Sequence, residues 1–304
     1  MLTACDSIRR ARPLLGTFVE IAVEGATPAA MSSAVEAAFD AIAKIHALMS
    51  FHAAGSDVSR LNAHAWSGPV IVHAWTHQVL ATAIDLRRRS AGVFDIAVAP
   101  TLQRLGLLPR ASGDETFTPI AAETAGAIEL LPGQRVRFKQ RGTRIDLGGI
   151  AKGFAVDRAI YILREHDMPG GLVNAGGDLA VFGAAPALVG VRDPRDPGRL
   201  LCRVRLSNQA LASTAPSFDP VRSSKVTGSS VIDPHGGKPI SGIRGATVRA
   251  PSGMIADALT KVVMVAGTSA ADLLEHYRAD ALLVPAVGGV QLTRGLQDAM
   301  CLAA

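Results

Sequence analysis

The chain has 304 residues, a formal net charge of +5 and only 4% aromatic residues. That length is enough for a sizeable core, built as one large α/β domain or as two intimate lobes. Basic residues are scattered, the one dense run (Arg87, Arg88, Arg89) falls in a helical pattern, and no basic stripe interleaves with aromatics, so nucleic acid is a poor partner for this chain.

The first residues, Leu2-Thr3-Ala4-Cys5, have the form of a lipoprotein cleavage box. No hydrophobic region precedes them, and Arg9, Arg10 and Arg12 follow, so the likeness reads as coincidence and a cytoplasmic location is expected. Arg12-Pro13-Leu14-Leu15-Gly16-Thr17 leads into a strand over residues 18–23. A long amphipathic helix is expected over Pro28–Met49, with Met31, Val35, Ala38, Ile42, Ile45 and Met49 at helical spacing. Ser56-Asp57-Val58-Ser59 has the composition of a cap on a short helical turn. A second helix is expected over Thr76–Ser90, its basic end suiting the helix dipole. Phe94–Val98 follows a glycine turn, and Pro100–Leu107 reads as a short helix. Residues 109–135 are the least structured by composition, and no site is expected there.

Arg135–Leu147 reads as strand-rich and delivers the chain to Ile145–Ala159, IDLGGIAKGFAVDRA. Here an apolar lead ends at Asp146, then come Gly148, Gly149, Lys152 and Gly153, with helical periodicity from Val156 to Glu165. Glycines at a strand-to-helix junction permit positive φ and close approach to a ligand, and the helix start with Lys152 favours an anion. Taken alone, the same pattern equally describes a plain βα turn.

Strand, Gly-rich turn and strand are expected over Leu172–Phe182, followed by strands at Val189–Val191 and Leu201–Leu206 and a Ser/Thr segment at residues 211–218. Ser230–Pro234 ends a strand, Ala246–Ala250 is another, and Ile255–Ala266 is a helix with Gly267 at its C-cap. A hairpin of residues 281–284 and 290–292 closes the pattern. Cys5, Cys202 and Cys301 are far apart, without zinc or disulfide spacing, and no apolar run reaches the roughly 18–20 residues of a membrane span. Helices before residue 135 and strands after it predict an α+β architecture.

The polar candidates are Asp95, Asp146, Lys152, Asp157, Asn174, Asp178, Asp233 and Asp257, several of them where strands meet turns. Ser-His-Asp, HExxH, GxSxG and Walker patterns are missing, which removes support from the common hydrolase and P-loop readings. Asp257 and Lys261 stand at i,i+4, and a carboxylate on an apolar helix reads either as a cap-like group or as a hard-cation ligand.

Taken in order, these segments resemble the ApbE family of FAD:protein FMN transferases. The likeness runs through residues 14–21 (LLGTFVEI), 49–62, 94–106, 145–159, 172–183 (LVNAGGDLAVFG), 191–197, 231–242 (VIDPHGGKPISG) and 256–267 (ADALTKVVMVAG). The resemblance implies an α+β fold of the ApbE or T-fold-like kind, with mixed and antiparallel sheets and flanking helices. It further implies two intertwined lobes forming one domain over residues 1–304. It implies cleavage of FAD, with Mg²⁺ assisting, and transfer of FMN through a phosphoester to a threonine or serine of a target flavoprotein.

Carried over by residue, the resemblance implies FAD contacts at Leu15, His52, Val93, Phe94, Asp95, Asp146, Lys152 and Ala246. It implies metal ligation by Asp257 and Thr260 and by the carbonyl of Gly149, catalysis around Asp233, Ser230 and Lys261, and support of the cleft by Asn174 and Gly176-Gly177. Asp95, Asp233 and His235 are the alternative bases. The departures fall at four places. His52 stands for an aromatic, Ser230 for a histidine, and Lys261 for a threonine or serine, while Ser213–Phe218 lacks the family's Gly and Tyr. Lys261 therefore either replaces part of the cation's charge beside Asp257 or faces solvent. A pyrophosphatase that splits FAD into FMN and AMP, and a non-catalytic FAD-binding protein, are the alternative functions.

Overall fold

A computed structural model describes residues 6–25, 27–110, 126–215 and 229–302. Cys5 with its box-like neighbours, residues 111–125 of the low-structure stretch, and Pro216–Phe218 lie outside the described residues. The chain forms two compact units, each assembled from separate stretches. The first comprises Met1–His46, Lys152–Phe218 and Gly242–Ala304, the second Ala47–Ala151 and Asp219–Ser241.

An eight-stranded sheet dominates the first unit. Its strands are β1 (Asp6–Leu14), β2 (Thr17–Gly25), β6 (Gly170–Ala175), β7 (Asp178–Phe182), β10 (Ala210–Thr214), β13 (Ile243–Ala250), β14 (Asp280–Pro285) and β15 (Gln291–Leu292), in that spatial order. Every strand pair among the described residues is antiparallel, so the expected antiparallel pairing holds and no parallel pair accompanies it. The first strand was hidden from sequence reading because its arginine-rich run lacks an apolar face; it is held by pairing to β2 from Asp6↔Gly25 to Leu14↔Thr17.

Side chains alternate across the sheet, which decides what each face does. Leu179 and Val181 of β7, Leu211 of β10, and Leu282 and Val284 of β14 share a cluster with Val191, Cys202, Val204, Leu206 and Leu296. The last group comes from a three-stranded sheet, β8 (Ala187–Asp193), β9 (Asp196–Leu206) and β16 (Met300–Leu302), and from helix α8 (Arg294–Ala299). Burial in this apolar cluster pushes the Cys202 thiol up to about 11, so it is a packing residue. The other face carries helix α6 (Gly253–Ala266) against β7, β10, β13 and β14. With both faces covered, β7 is buried at all its positions, including Asp178.

Helix α1 (Pro28–Met49) matches its expected bounds. Helix α5 (Ala151–Glu165) begins earlier than the periodicity suggested, so Lys152, Gly153 and Asp157 are helical residues. Helix α6 also begins earlier, capped by Ser252 Oγ accepting from the Ile255 N–H, and Asp257 lies beyond the first turn. An end-cap role for Asp257 is thereby removed. Residues Gly253–His276 are long and apolar enough by composition to cross a membrane. The stretch is broken at Gly267, whose φ is +59°, before the separate helix α7 (Ala271–His276), and α6 spends its apolar surface on the sheet.

The second unit holds helices α2 (Asp57–His64), α3 (Ala74–Arg89) and α4 (Ala99–Arg104). It also holds a small sheet of β3 (Val70–Ile71), β5 (Arg135–Phe138) and β4 (Ile128–Leu131), and the pair β11 (Ile232–Asp233) and β12 (Lys238–Pro239). Strand β4 lies in the stretch expected to lack structure. Beyond Phe138 the expected strand gives way to turns. Ser56 caps α2 as its sequence foretold, its Oγ accepting from Ser59 N–H at 3.0 Å.

Candidate active site

The first unit gathers four charged side chains that are distant in sequence. Lys152 Nζ lies 2.5 Å from Asp178 Oδ2, and Lys261 Nζ pairs with Asp257 Oδ1. The carboxylates are 1% and 0% exposed, whereas the Lys152 and Lys261 side chains are 32% and 19% exposed. The carboxylates are thus buried, and only the lysine side chains of the cluster reach solvent. That arrangement suits an anionic ligand.

Local sequence explains each position. The β6–β7 hairpin pairs Ala175 with Asp178 across the two-residue turn Gly176-Gly177, whose φ values are +66° and +101°. Two successive positive φ angles make this a turn that glycine serves best. Asn174 Oδ1 accepts the Gly177 N–H at 2.9 Å, so Asn174 holds the turn. Asp178 then starts β7 on the face opposite Leu179, the face covered by α6.

Gly153 brings α5 against α6. A Cβ there would stand 2.0 Å from the Gly253 carbonyl oxygen, so only glycine permits the approach. The close approach lets Gly153 N–H donate to Asp257 Oδ2 at 3.1 Å. Asp157, one turn on, accepts from the N–H groups of Gly253 (2.5 Å) and Met254 (2.8 Å) at the start of α6. None of Gly148, Gly149 and Gly153 has positive φ, which corrects the reading of this run as a left-handed cradle. Its third glycine serves helix contact instead.

The neighbouring hydroxyls are also committed. Thr260 Oγ1 donates to the Asp257 carbonyl at 2.7 Å and lies 2.7 Å from Thr214 Oγ1. Lys261 Nζ also donates to Thr214 Oγ1 (3.2 Å) and to the Asp257 carbonyl (3.1 Å). Lys261 therefore does not simply face solvent.

Burial pushes the Asp178 carboxyl above its usual range, with the Asp257 carboxylate adding to the rise and the ammoniums of Lys152 and Lys261 opposing it. Burial also acts against an ionised Asp257. There the ammoniums of Lys261 and Lys152, with hydrogen bonds from Lys261 and Gly153 N–H, outweigh it and hold the carboxyl below its usual range. Burial pushes Asp157 up to about 6, against its two N–H donors.

Two further residues expected to contact cofactor lie in this unit. Leu15 occupies the two-residue β1–β2 turn at φ +56°, its N–H donating to His46 Nδ1 at 3.2 Å. Ala246 pairs with Thr214 on the α6 face and is 3% exposed, so its side chain is packing and offers no surface to a ligand.

In the second unit, Asn62 accepts from Ile145 N–H (2.7 Å) and donates to Ile145 C=O (2.9 Å), in the manner of a neighbouring strand. The next residue, Asp146, donates its N–H to Ile96 C=O at 2.9 Å and accepts from Gly148 N–H at 3.0 Å. Burial raises the Asp146 carboxyl, against the Gly148 N–H, the nearby His52 charge and the Leu147 N–H. Gly149 follows in the turn before α5. Phe94 is buried and Val93 half-buried, while His52 is exposed beside Phe51. Asp95 accepts from Arg87 Nε (2.7 Å) and Ala97 N–H (2.8 Å), which makes it a fixed anchor of its loop. Asp233 accepts from the N–H groups of His235 (3.0 Å) and Gly236 (3.2 Å). His235 Nε2 is 3.0 Å from the Ala91 carbonyl oxygen, so this histidine is docked to the loop after α3. Ser230 is exposed just before β11.

The sequence model of the ApbE family matches residues 15–283. The chain belongs to the ApbE family. It is similar to a Treponema pallidum protein named FAD:protein FMN transferase, 28% identical over 321 residues, covering 95% of this chain and 87% of the relative. A Vibrio cholerae protein of the same name is 25% identical over 283 residues, covering 88% and 85%. The crystal structure of the ApbE protein from Thermotoga maritima superposes with a TM-score of 0.85 at 26% identity, covering 97% of this chain and 99% of that one. Pseudomonas stutzeri flavinyl transferase ApbE has the same fold, with a TM-score of 0.83 at 20% identity over 98% of each chain.

Within this ApbE chain the donors around Asp257 do not fit a resident magnesium ion. One carboxylate oxygen is ion-paired with Lys261, the other accepts Gly153 N–H, and the Thr260 hydroxyl is tied to the Asp257 carbonyl. Mg²⁺ requires near-octahedral oxygen ligation at about 2.0–2.1 Å. An ammonium already on the same oxygen opposes it. Thr214 and Asn62 were missed from sequence. A hydroxyl at a strand end and an asparagine inside a short helix carry no local signal of their partners.

Proposed function

We propose that this chain transfers FMN from FAD to a threonine or serine hydroxyl of a target flavoprotein. The match to the ApbE family over residues 15–283, with relatives named FAD:protein FMN transferase, carries this reading. The part-exposed Lys152 and Lys261 side chains give it a chemical basis, because charge neutralisation is the main task in phosphoryl transfer.

In the reaction the acceptor Oγ forms a bond to the FMN phosphorus while the bond from that phosphorus to the bridging oxygen breaks. AMP leaves with the electron pair, and the hydroxyl proton passes to a base. Lys152 and Lys261 meet charge on the diphosphate as it shifts toward the leaving AMP. Asp233, half-buried with its carboxylate held by two N–H groups, is the base assigned by this reading. His52, exposed, offers a ring for stacking on an aromatic part of FAD.

The test incubates the protein with FAD and a flavoprotein domain carrying an acceptor Thr or Ser. In-gel fluorescence of the denatured acceptor and release of AMP are then measured. Covalent fluorescence with one AMP per flavin is expected. Free FMN with AMP and an unlabelled acceptor would identify a pyrophosphatase instead, and unchanged FAD would leave only binding.

A further inference from the structure

The buried carboxylate that would be expected to hold a metal already holds a cation of its own. We infer that the Lys261 ammonium serves as a tethered cation in the place of a divalent metal beside Asp257, and that FMN transfer by this chain runs without magnesium. The inference rests on the transferase reading.

Three observations carry it. First, each oxygen of Asp257 has an internal donor: Oδ1 has Lys261 Nζ, Oδ2 has Gly153 N–H at 3.1 Å, and the carbonyl has Thr260 Oγ1 at 2.7 Å and Lys261 Nζ at 3.1 Å. Second, Lys261 is fixed from three sides, by the Asp257 carboxylate, its carbonyl and Thr214 Oγ1 at 3.2 Å. Three acceptors match the three protons of an ammonium, so the charge is held in one place instead of swinging in solvent. Third, its carrier, α6, is locked to α5 by the Gly153–Gly253 approach and to the sheet on its other side. A positive group on rigid, buried support is preorganised for charge that develops in a transition state. An ammonium is compact and strongly hydrated like a metal ion, though it carries a single charge.

The neighbouring carboxylate adds a requirement for a positive partner. Asp178 Oδ1 is buried without a hydrogen-bond partner among the described residues, while Oδ2 holds Lys152. Within the fold Lys152 is paired with Asp178, and Lys261 with Asp257.

The experiment has a binding arm and a turnover arm. Mg²⁺ is titrated calorimetrically into the wild type and Lys261→Thr, each with and without FAD, and transfer is timed in Mg²⁺ and in excess chelator. The expectation is no saturable Mg²⁺ site in the wild type, a new site in Lys261→Thr, and wild-type rates that agree within about twofold with and without metal. The variant should lose about tenfold or more in chelator and recover with Mg²⁺, the scale of a lost electrostatic contact. A saturable Mg²⁺ site in the wild type, or a wild-type rate that collapses in chelator, overturns the inference. So does a folded Lys261→Thr protein that gains no site. Should that variant not fold, the wild-type titration decides alone. Should no transfer occur under any condition, the transferase reading falls, while the binding arm still decides where the cation comes from.

Discussion

Gly153 and Gly253 meet so closely that a Cβ on Gly153 would lie 2.0 Å from the Gly253 carbonyl oxygen and 2.8 Å from the Asp257 Cβ. Two helices therefore cross at glycine on both sides, and the crossing places a backbone N–H on the Asp257 carboxylate. Helix propensity favours Ala over Gly by about 1 kcal/mol, but a clash with main-chain atoms cannot be relieved by a rotamer change. Gly153→Ala should lose about 2 kcal/mol or more in urea denaturation, since overpacking typically costs 1–3 kcal/mol. Gly68→Ala, with nothing within 4 Å of its Cβ, is the control and should change by less than about 0.5 kcal/mol. Equal effects at the two sites would refute the account.

Asp157 makes stability depend on pH in a defined direction. Its carboxyl is raised from an ordinary 3.8 to about 6 by burial, so the folded state binds the proton more tightly than the unfolded chain. The contribution is fully present below about pH 4 and is lost as pH rises through about 6, with a span of at most about 3 kcal/mol. In thermal melts from pH 4 to 7 the wild type should lose stability more steeply than Asp157→Asn. Parallel curves for the two proteins would sink the assignment.

Lys152 has two roles that a double substitution separates. Lys152→Met leaves Asp178 buried without its ammonium and should cost about 3 kcal/mol, the scale for breaking a buried pair. Adding Asp178→Asn should restore most of that stability but not flavin transfer, because the charge facing the diphosphate is still missing. Recovery of both would make Lys152 purely structural.

Asn62 positions Asp146 through two hydrogen bonds to the backbone of Ile145. Asn62→Ala strands a buried N–H and a carbonyl, and a loss of about 2–3 kcal/mol follows from two unsatisfied groups. Under the proposed function FAD affinity should fall as well, measured by quenching of flavin fluorescence. Unchanged stability would show that solvent replaces the asparagine at no cost.

Much of the fold was legible because its signals are local. The 22-residue α1, the Ser56 cap and the Gly176-Gly177 turn each follow from residues a few positions apart. Strand β1 was not legible, since five of its nine residues, Asp6, Arg9, Arg10, Arg12 and Pro13, are charged or proline, and its pairing to β2 alone makes it a strand. The first turns of α5 and α6 were missed for a related reason. Their glycines weaken helix propensity, and the α5–α6 crossing, with the Ser252 cap and the Asp157 carboxylate at the start of α6, compensates.

The sequence by itself determined the family, through ordered motifs that need no coordinates, and it put Lys152, Asp178 and Asp257 among the polar candidates and marked Lys261 as a departure beside Asp257. Only the tertiary structure decided what those residues do to one another. Lys152 and Asp178 are separated by 26 positions, and Gly153 and Asp257 by 104, so no local pattern records their contact. Their pairing depends on which face of β7 lies under α6 and on how closely two glycines let the helices approach. Burial then does the rest. It removes water from both carboxylates, leaves the two lysine side chains part-exposed, and turns an ordinary i,i+4 pair into a fixed cation beside Asp257.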